Sequence, residues 1–212
     1  MAKPALVIIA RAPELGRVKT RLAAGIGAAG ALQVYRQLLE VVVAAQAGWR
    51  GPVLLAVDGP ADAWQGSGLE HLPRQTQPSG GLGGRIAAAL HWGVATAGSA
   101  LAIGTDCPGL RLAHLEALAS GLDAAPVAFG PAEDGGYWGI AVADAQPIVA
   151  LTAADLPWST SRLLGDSIAR LERSGLHYAR AATLADCDDA DDLAAAVQAG
   201  FLSWPTPIKS TT

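Results

Sequence analysis

The segment Ala5-Leu-Val-Ile-Ile-Ala10 is a continuous aliphatic run without polar alternation. Such a run is typical of a central strand in a parallel sheet that helices cover on both faces. It is much shorter than the ~18 consecutive apolar residues that a membrane helix needs. A charged residue, Arg11, follows it directly. The segment therefore predicts a buried strand of an α/β protein.

Short aliphatic runs and longer segments of helical periodicity alternate along the rest of the chain. Further strands are predicted at 52–58, 69–75, 100–105, 126–130, 138–143 and 177–184. Helices are predicted at 28–47, 84–97, 111–120, 161–174 and 190–199. This alternation predicts an α/β fold with a mainly parallel sheet that helices cover on both faces.

Length and charge narrow the class of protein. The 212 residues predict a single domain over 1–212, in which 203–212 form a loose tail because this segment holds two prolines and small polar residues. The net charge of −4 argues against non-specific nucleic-acid binding, which depends on basic charge. The hydrophobic content of 51% leaves room for a homodimer.

The two cysteines, Cys107 and Cys187, are too few for a disulfide framework or a four-thiolate zinc site. They fit a reduced compartment. With no run long enough to span a bilayer, we expect a soluble cytoplasmic protein without a membrane span.

A basic segment follows the first predicted strand. It contains Arg11, Arg17, Lys19 and Arg21. Because ligands of such sheets bind beyond the carboxyl ends of the strands, and because arginine and lysine bind phosphate oxygens, the segment predicts a site for a di- or triphosphate. The alternative is a solvated basic turn.

Two glycine-rich segments have different expected roles. The loop Gly80–Gly84 precedes a predicted helix and permits close approach of an anion to the backbone, with Arg85 adding positive charge. The alternative is a flexible loop. The segment Gly25-Ile-Gly-Ala-Ala-Gly30 matches a dinucleotide-binding pattern, but it does not directly follow a predicted strand, so we do not expect it to bind a nicotinamide cofactor.

Acidic residues also follow predicted strands. Asp106 leaves an apolar strand and is a candidate Mg²⁺ ligand, with capping of the next helix as the alternative. In the run 186–192, Asp186 or Asp188 is a candidate second ligand, and the other aspartates suit the N-terminus of the helix that follows. Asp134 is a candidate for accepting a hydrogen bond from a hydroxyl or for general-base catalysis; the alternative is a hairpin turn.

Four segments together resemble a known family. They are 11–22 (Arg-Ala-Pro…Gly-Arg-Val-Lys-Thr-Arg-Leu), 104–110 (Gly-Thr-Asp-Cys-Pro-Gly-Leu), 130–138 (Gly-Pro-Ala-Glu-Asp-Gly-Gly-Tyr-Trp) and 186–193 (Asp-Cys-Asp-Asp-Ala-Asp-Asp-Leu). In this order they resemble the bacterial glycosyltransferase-A-like family of candidate nucleotide-diphospho-sugar transferases, which is related to molybdopterin and phospholactate nucleotidyltransferases. The resemblance spans nearly the whole chain.

The resemblance implies a Rossmann-like three-layer α/β/α sandwich of the glycosyltransferase-A type, with nucleotide bound over its N-terminal half. It also implies a divalent metal, Mg²⁺ or Mn²⁺, at Asp106, with Asp188 as the second ligand. The residues expected at the nucleotide are Ala10, Arg11, Lys19, Arg21, Gly81, Gly83 and Arg85. The expected catalytic residues are Asp134 and Lys19.

Two features depart from related enzymes. Glycosyltransferases of this fold often carry Asp-x-Asp at the metal site, where this chain has Gly104-Thr-Asp106. Sugar nucleotidyltransferases usually have a glycine-rich loop after the first strand, where this chain has the segment 11–21, which is similar to the Lys-Ser-Arg-Leu segment of phospholactate guanylyltransferases. The resemblance therefore defines the fold more closely than the reaction.

Three functions follow as hypotheses. The first is a metal-dependent glycosyltransferase that uses a nucleotide sugar and an unidentified small-molecule acceptor. The alternative is a nucleotidyltransferase, which transfers a nucleotidyl group from a nucleoside triphosphate to a phosphorylated acceptor and releases pyrophosphate. The third is a nucleotide-binding module without catalysis.

Overall fold

The computed structural model describes residues 3–206. The strands in this range are β1 (Ala5–Arg11), β2 (Val53–Asp58), β3 (Arg74–Thr76), β4 (Ala100–Ile103), β5 (Val127–Pro131), β6 (Tyr137–Val142) and β7 (Tyr178–Arg180). The helices are α1 (Thr20–Ala47), α2 (Leu82–Ala97), α3 (Leu112–Ser120), α4 (Ile148–Leu151), α5 (Leu163–Arg173) and α6 (Ala190–Gln198). Short 3₁₀ helices occupy Asp62–Trp64 and Gly121–Asp123.

The strands form one sheet in the order β3-β2-β1-β4-β6-β5-β7. Neighbouring strands are parallel except where β6 pairs antiparallel with β4 and with β5. Strand β1 lies between β2 and β4, so the aliphatic run from which the fold was predicted is a central strand. The predicted Rossmann-like α/β sandwich with a mostly parallel sheet is confirmed.

Helices cover both faces of the sheet. On one face Leu6 and Ile8 of β1 belong to a buried cluster with Leu39 of α1, and on the other face Val7 belongs to a cluster with Leu90 of α2. Side chains of a strand alternate between the two faces. Because both faces are buried, β1 has no polar alternation.

Helix α1 begins earlier than predicted and has a kink. It starts at Thr20 rather than at residue 28, and Gly27 inside it has φ +76°. A positive φ is accessible to glycine without steric cost, so the helix changes direction there. A Cβ on Gly25 would lie 3.2 Å from the side chain of Ala190 in α6. The segment 25–30 is therefore part of a helix and not a loop at the end of a strand.

Two predicted strands are wrong in extent. The segment 69–75 contributes only its last residues to β3, because the fully buried Leu69 and the partly buried Leu72 lie in the preceding loop and pack against the core there. The segment 177–184 forms the short edge strand β7, after which Leu184 makes an isolated bridge to Ala132. In both segments the apolar residues anchor a loop rather than a strand.

The first part of the predicted loose tail is held against α1. Gln37 donates to the carbonyl of Ser203 at 3.0 Å and accepts from its N–H at 2.8 Å. Gln33 makes the same pair of bonds with Thr206, at 3.1 and 3.0 Å. These contacts differ from the expectation of a loose tail, whose remainder, 207–212, lies outside the described residues. Within residues 3–206, no helix is both long and apolar enough to cross a bilayer.

Candidate active site

A cleft of about 320 Å³ lies at the carboxyl ends of β1, β2 and β4. Of the residues predicted from the sequence, Ala10, Arg11, Lys19, Arg21, Arg85, Asp106 and Asp188 line this cleft. They come from four separate parts of the chain and meet because the carboxyl ends of parallel strands lie at the same edge of the sheet. We call this cavity the nucleotide cleft, after the ligand that the sequence analysis predicts for it.

Lys19 joins the two acidic segments of the cleft. It has a left-handed backbone (φ +47°) directly before α1, and its side chain is only 5% exposed. Its ammonium group contacts Oδ1 of Asp106 and donates to Oδ1 of Asp188 at 2.9 Å. Burial alone would lower the pKa of Lys19, but the charges of Asp106 and Asp188 outweigh it and raise the pKa above its ordinary value. Lys19 is therefore a fixed positive charge and not a general base.

Asp188 contacts a second cation. Its Oδ2 accepts a hydrogen bond from Arg21, whose side chain is 75% exposed. The first turn of α1 therefore brings both Lys19 and Arg21 to the acidic segment before α6. The exposed guanidinium of Arg21 is accessible to a ligand in the cleft.

The far end of the nucleotide cleft contains a network that the sequence analysis missed. Arg85 donates to Asp58 at 2.8 Å and to Oε1 of Gln77 at 3.1 Å. The amide of Gln77 donates to the carbonyl of Ala10 at 3.0 Å. The hydrogen bond from Arg85, followed by its charge and that of Arg11, lowers the pKa of Asp58. Asp58 also contacts the guanidinium of Arg11 at 3.5 Å, so one carboxylate pairs with two arginines and this end of the cleft keeps a positive charge.

Tyr35 also lines the nucleotide cleft and was not predicted at the site from the sequence. Its hydroxyl donates to the carbonyl of Arg11 at 2.7 Å and accepts from the N–H of Arg11 at 3.2 Å. Burial raises the pKa of Tyr35 to about 12, so the hydroxyl stays protonated near neutral pH. Tyr35 thus fixes the end of β1 against α1 at the rim of the cleft.

The glycine loop Gly80–Gly84 contains a residue that is required for packing. A Cβ on Gly83 would lie 2.8 Å from the carbonyl oxygen of Thr152 and 2.8 Å from the ring of Trp158. Gly83 therefore allows α2 to pack against the segment after α4. Gly81 precedes the first residue of α2, and neither of these two glycines lines the nucleotide cleft, whereas Leu82 does.

A second cavity of about 370 Å³ adjoins the nucleotide cleft. The two cavities share Arg21, Leu82, Asp106 and Asp188. The residues that line only the second one include Asp134, Asp186, Tyr137, Trp138, Ser159, Thr160 and Ser161. We call this cavity the second compartment. The structure thus places the predicted residue Asp134 beside the nucleotide cleft and not in it.

Asp134 and Asp186 form the acidic part of the second compartment. Oδ1 of Asp134 accepts from the backbone N–H of Gly136 at 2.8 Å, which is the turn contact expected from the alternative interpretation, and Oδ2 is left for other partners. Burial, followed by the negative charges of Asp134 and Asp188, raises the pKa of Asp186 to about 6.

Cys107 also lines this compartment, and burial raises the pKa of its thiol. The thiol of Cys107 therefore stays protonated near neutral pH.

Packing between two loops closes the second compartment. A Cβ on Gly135, which has φ +88°, would overlap the carbonyl oxygen of Ser161. The N–H of Leu164 donates to the carbonyl of Gly135 at 3.0 Å. In the same segment Ser159 has a left-handed backbone, with φ +61°. The turn 134–136 and the segment 159–161 are therefore held together around the cavity.

The carboxylates of the cleft can be compared with the ligands required by the divalent ion that the sequence resemblance implies. Within residues 3–206 no group of three or more His, Cys, Asp or Glu side chains is placed to hold an ion. Asp106 and Asp188 instead converge on one cation, the ammonium of Lys19. Mg²⁺ is commonly held by one or two carboxylates together with substrate phosphates and water. The pair therefore fits a divalent ion whose other ligands come from the substrate.

The structure also shows which of the predicted acidic residues cap a helix. The residue before α3 is Arg111, so Asp106 does not cap that helix. Asp189 accepts from the N–H groups of Asp191 and Asp192, and the Asp192 side chain accepts from the N–H of Asp189 in return. This capping box confirms the expected helix-terminal role of the later aspartates.

The sheet order and the cleft at the carboxyl ends of its strands are those of a Rossmann-like α/β fold. Residues 39–160 match the family described as "Uncharacterized protein conserved in bacteria (DUF2064)". The chain belongs to this family. None of the curated proteins matches the sequence at a significant level.

Solved structures share the fold. A candidate nucleotide-diphospho-sugar transferase from Desulfovibrio desulfuricans G20 is 23% identical, with 91% of this chain and 85% of that chain covered and a TM-score of 0.81. The 2-C-methyl-D-erythritol 4-phosphate cytidylyltransferase from Thermus thermophilus is 16% identical, with 95% and 100% covered and a TM-score of 0.57. Glucosyl-3-phosphoglycerate synthase from Mycobacterium tuberculosis, in complex with Mn²⁺, UDP and glucosyl-3-phosphoglycerate, is 11% identical, with 93% and 76% covered and a TM-score of 0.52. These likenesses confirm the fold implied by the sequence resemblance.

Proposed function

We propose that this protein is a metal-dependent transferase that uses a nucleoside-diphosphate sugar as donor and a small molecule as acceptor. The observation that carries the proposal is the convergence of Asp106 and Asp188 on Lys19, at the junction of the nucleotide cleft and the second compartment. Two adjoining cavities can hold a donor and an acceptor, with the reacting bond where the cavities meet.

The hydrogen-bonding groups at the two ends of the cleft suggest how the donor is oriented. Near Asp58 the carboxylate and the amide of Gln77 offer hydrogen-bond acceptors and donors in one place, which suits the nucleoside. At the other end, Lys19 and Arg21 offer donors to phosphate oxygens. We place the nucleoside at the Asp58 end and the diphosphate at the Lys19 end.

Electrostatic balance at the diphosphate end favours a divalent cation. The positive charges of Lys19 and Arg21 are already balanced by Asp106 and Asp188. A diphosphate added to this neutral cluster brings uncompensated negative charge, so a further cation improves its binding. Asp106 and Asp188 would hold Mg²⁺ or Mn²⁺. When bound, the ion stabilises negative charge on the departing nucleoside diphosphate.

The chain's own residues supply positioning and charge. Lys19 is buried and stays protonated, so its charge is fixed before the reaction and needs no reorganisation. Arg21 is exposed and can bind the phosphate that becomes the leaving group. Asp134 lies in the second compartment, where its free carboxylate oxygen can accept the hydrogen of an acceptor hydroxyl.

Nucleotidyl transfer is the second candidate, and the observation that favours it is the fold shared with the cytidylyltransferase from Thermus thermophilus. In this reaction the cleft holds a nucleoside triphosphate. A phosphate oxygen of the acceptor attacks the α-phosphorus, and the bond from that phosphorus to the bridging oxygen of pyrophosphate breaks. Lys19 and Arg21 then stabilise the leaving pyrophosphate.

One experiment separates the candidates. The protein is incubated with Mn²⁺ and, in turn, with uridine, guanosine and thymidine diphosphate sugars and with the nucleoside triphosphates, each with hydroxyl and phosphorylated acceptors. Release of a nucleoside diphosphate from a sugar donor supports the proposed function. Acceptor-dependent release of pyrophosphate supports nucleotidyl transfer. Nucleotide binding without either product indicates a binding module.

A further inference from the structure

We propose that the second compartment takes a neutral or cationic acceptor that offers hydroxyl or amino groups, and that it excludes a phosphorylated acceptor. This inference rests on the proposed function, because it concerns the acceptor of the same site. A hydroxyl-bearing acceptor fits sugar transfer, whereas nucleotidyl transfer requires a phosphorylated acceptor.

The charge around the second compartment carries the inference. Among residues 3–206, four carboxylates line it, those of Asp106, Asp134, Asp186 and Asp188, and Arg21 is the one lining cation. Among the described residues, Asp106 and Asp188 are paired with Lys19, but Asp134 and Asp186 form no ion pair. A phosphate group placed beside two unpaired carboxylates meets repulsion, whereas a hydroxyl or ammonium group donates hydrogen bonds to them.

A bound metal ion does not make the net charge of the second compartment positive. A divalent ion brings two positive charges, and Lys19 and Arg21 bring two more, which together balance the four carboxylates. The diphosphate of the donor then adds negative charge at the boundary of the two cavities. Whenever the diphosphate of the donor is bound, a second phosphate in the compartment would therefore enter a site with net negative charge.

The remaining walls of the compartment also suit a polyol or an amino sugar. Ser159, Thr160 and Ser161 place hydroxyl-bearing residues on one side, and Trp138 contributes an aromatic wall. Tyr137 lines the cavity as well, but its hydroxyl is buried away from the cavity surface, so only the rest of this side chain contributes to the wall. These residues offer neutral donors and acceptors and an apolar ring surface, but no basic side chain that would bind a phosphate.

Backbone contacts fix the two segments that carry the unpaired carboxylates of the compartment. The turn containing Asp134 is fixed against the carbonyl of Ser161 by the tight contact at Gly135. On the opposite side the N–H of Cys187 donates to the carbonyl of Asp106 at 3.0 Å, which ties the segment carrying Asp186 to the end of β4. The backbone positions of both aspartates are therefore fixed by the fold, and the Asp134 side chain is held in addition by its hydrogen bond from Gly136.

The test compares matched ligands on the full chain. The protein is loaded with Mg²⁺ and with whichever of UDP, GDP or dTDP binds most tightly, and the affinities of glucose, glucosamine and mannose are measured against those of their 6-phosphates by saturation-transfer NMR. We expect at least one unphosphorylated ligand to bind about tenfold or more tightly than its phosphate. The variants D134N and D186N should each reduce this preference by about threefold, and D123N, at an exposed position outside both cavities, should leave it unchanged.

Three outcomes would overturn the inference. They are equal or tighter binding of the phosphorylated ligands, a preference that D134N and D186N do not alter, and binding of neither ligand in every pair. The amide of D134N can still accept the hydrogen bond of Gly136, so this variant should fold, and thermal unfolding verifies it. Failure of the proposed function is distinct, because it would appear in the loading step as an absence of Mg²⁺-dependent nucleotide binding.

Discussion

The ammonium of Lys19 lies 2.9 Å from Oδ1 of Asp188 and also contacts Asp106, so one buried cation joins two acidic segments that are far apart in the sequence. Without it, the two carboxylates would face each other with no positive charge between them. Lys19 therefore has a structural role in the free protein and, in the proposed reaction, a role in binding phosphate.

The first prediction concerns the loss of this cation. K19M should lower the free energy of unfolding by about 1.5–3 kcal/mol, the usual contribution of hydrogen bonds to charged groups. Millimolar Mn²⁺ should restore part of the loss, because a divalent ion can neutralise Asp106 and Asp188 in place of the ammonium. Urea unfolding with and without Mn²⁺ measures both effects. An unchanged stability in K19M, or a loss that Mn²⁺ does not reduce, would contradict this account.

The second prediction separates ligand binding from folding at Arg21. Its pair with Asp188 is exposed, so R21M should change the free energy of unfolding by only about 0.2–1 kcal/mol. Nucleoside-diphosphate affinity should fall about tenfold or more, because a charge-assisted hydrogen bond to phosphate is lost. Calorimetric titration gives the affinity. If R21M binds as tightly as the wild type, Arg21 does not contact the phosphates.

The third prediction compares two neighbouring glycines. G83A should lower stability by about 1–3 kcal/mol, because the added methyl group would overlap the carbonyl of Thr152 and the ring of Trp158. G84A is the matched control. A Cβ at Gly84 meets no atom within 4 Å, so this variant should gain up to about 1 kcal/mol from higher helix propensity. Equal effects of the two variants in thermal unfolding would show that the packing of Gly83 is misassigned.

The fourth prediction follows from the pKa of Asp186, which is raised from 3.8 to about 6 in the folded protein. The folded state binds this proton more tightly than the unfolded state, so ionisation of Asp186 costs stability as the pH rises from about 4 to about 6. D186N removes this cost. It should melt at a higher temperature than the wild type at pH 7.5, and the difference should vanish near pH 4. A similar gain in the exposed variant D123N, or a gain at pH 4, would assign the effect to another cause.

The sequence was sufficient for the fold because its strands are uninterrupted aliphatic runs, of which 5–10 is the clearest. It was also sufficient to predict that Arg11 and Asp106 lie close together, since residues that directly follow parallel strands lie at one edge of the sheet. Asp58 could have been found by the same rule, because it ends the predicted strand 52–58.

Other features depend on tertiary contacts that have no sequence signature. The pairing of Gln77 with the backbone of Ala10 requires the loop after β3 to fold over β1. Gly83 is indistinguishable in sequence from a phosphate-binding glycine, and only its contact with Trp158 identifies it as a packing residue. Leu69 resembles a strand residue because apolar anchors of a buried loop and apolar residues of a strand have the same composition.

The central claim is that Asp106, with Asp188 and Lys19, forms a metal-dependent site for a nucleoside diphosphate. Calorimetric titration of wild type, D106N and the exposed control D123N with UDP, GDP and dTDP, each with and without Mn²⁺, tests it most directly. The account predicts Mn²⁺-dependent binding of at least one nucleotide by wild type and D123N, weakened about tenfold or more in D106N. Equal affinity of D106N and wild type, or binding that is indifferent to Mn²⁺, would contradict it.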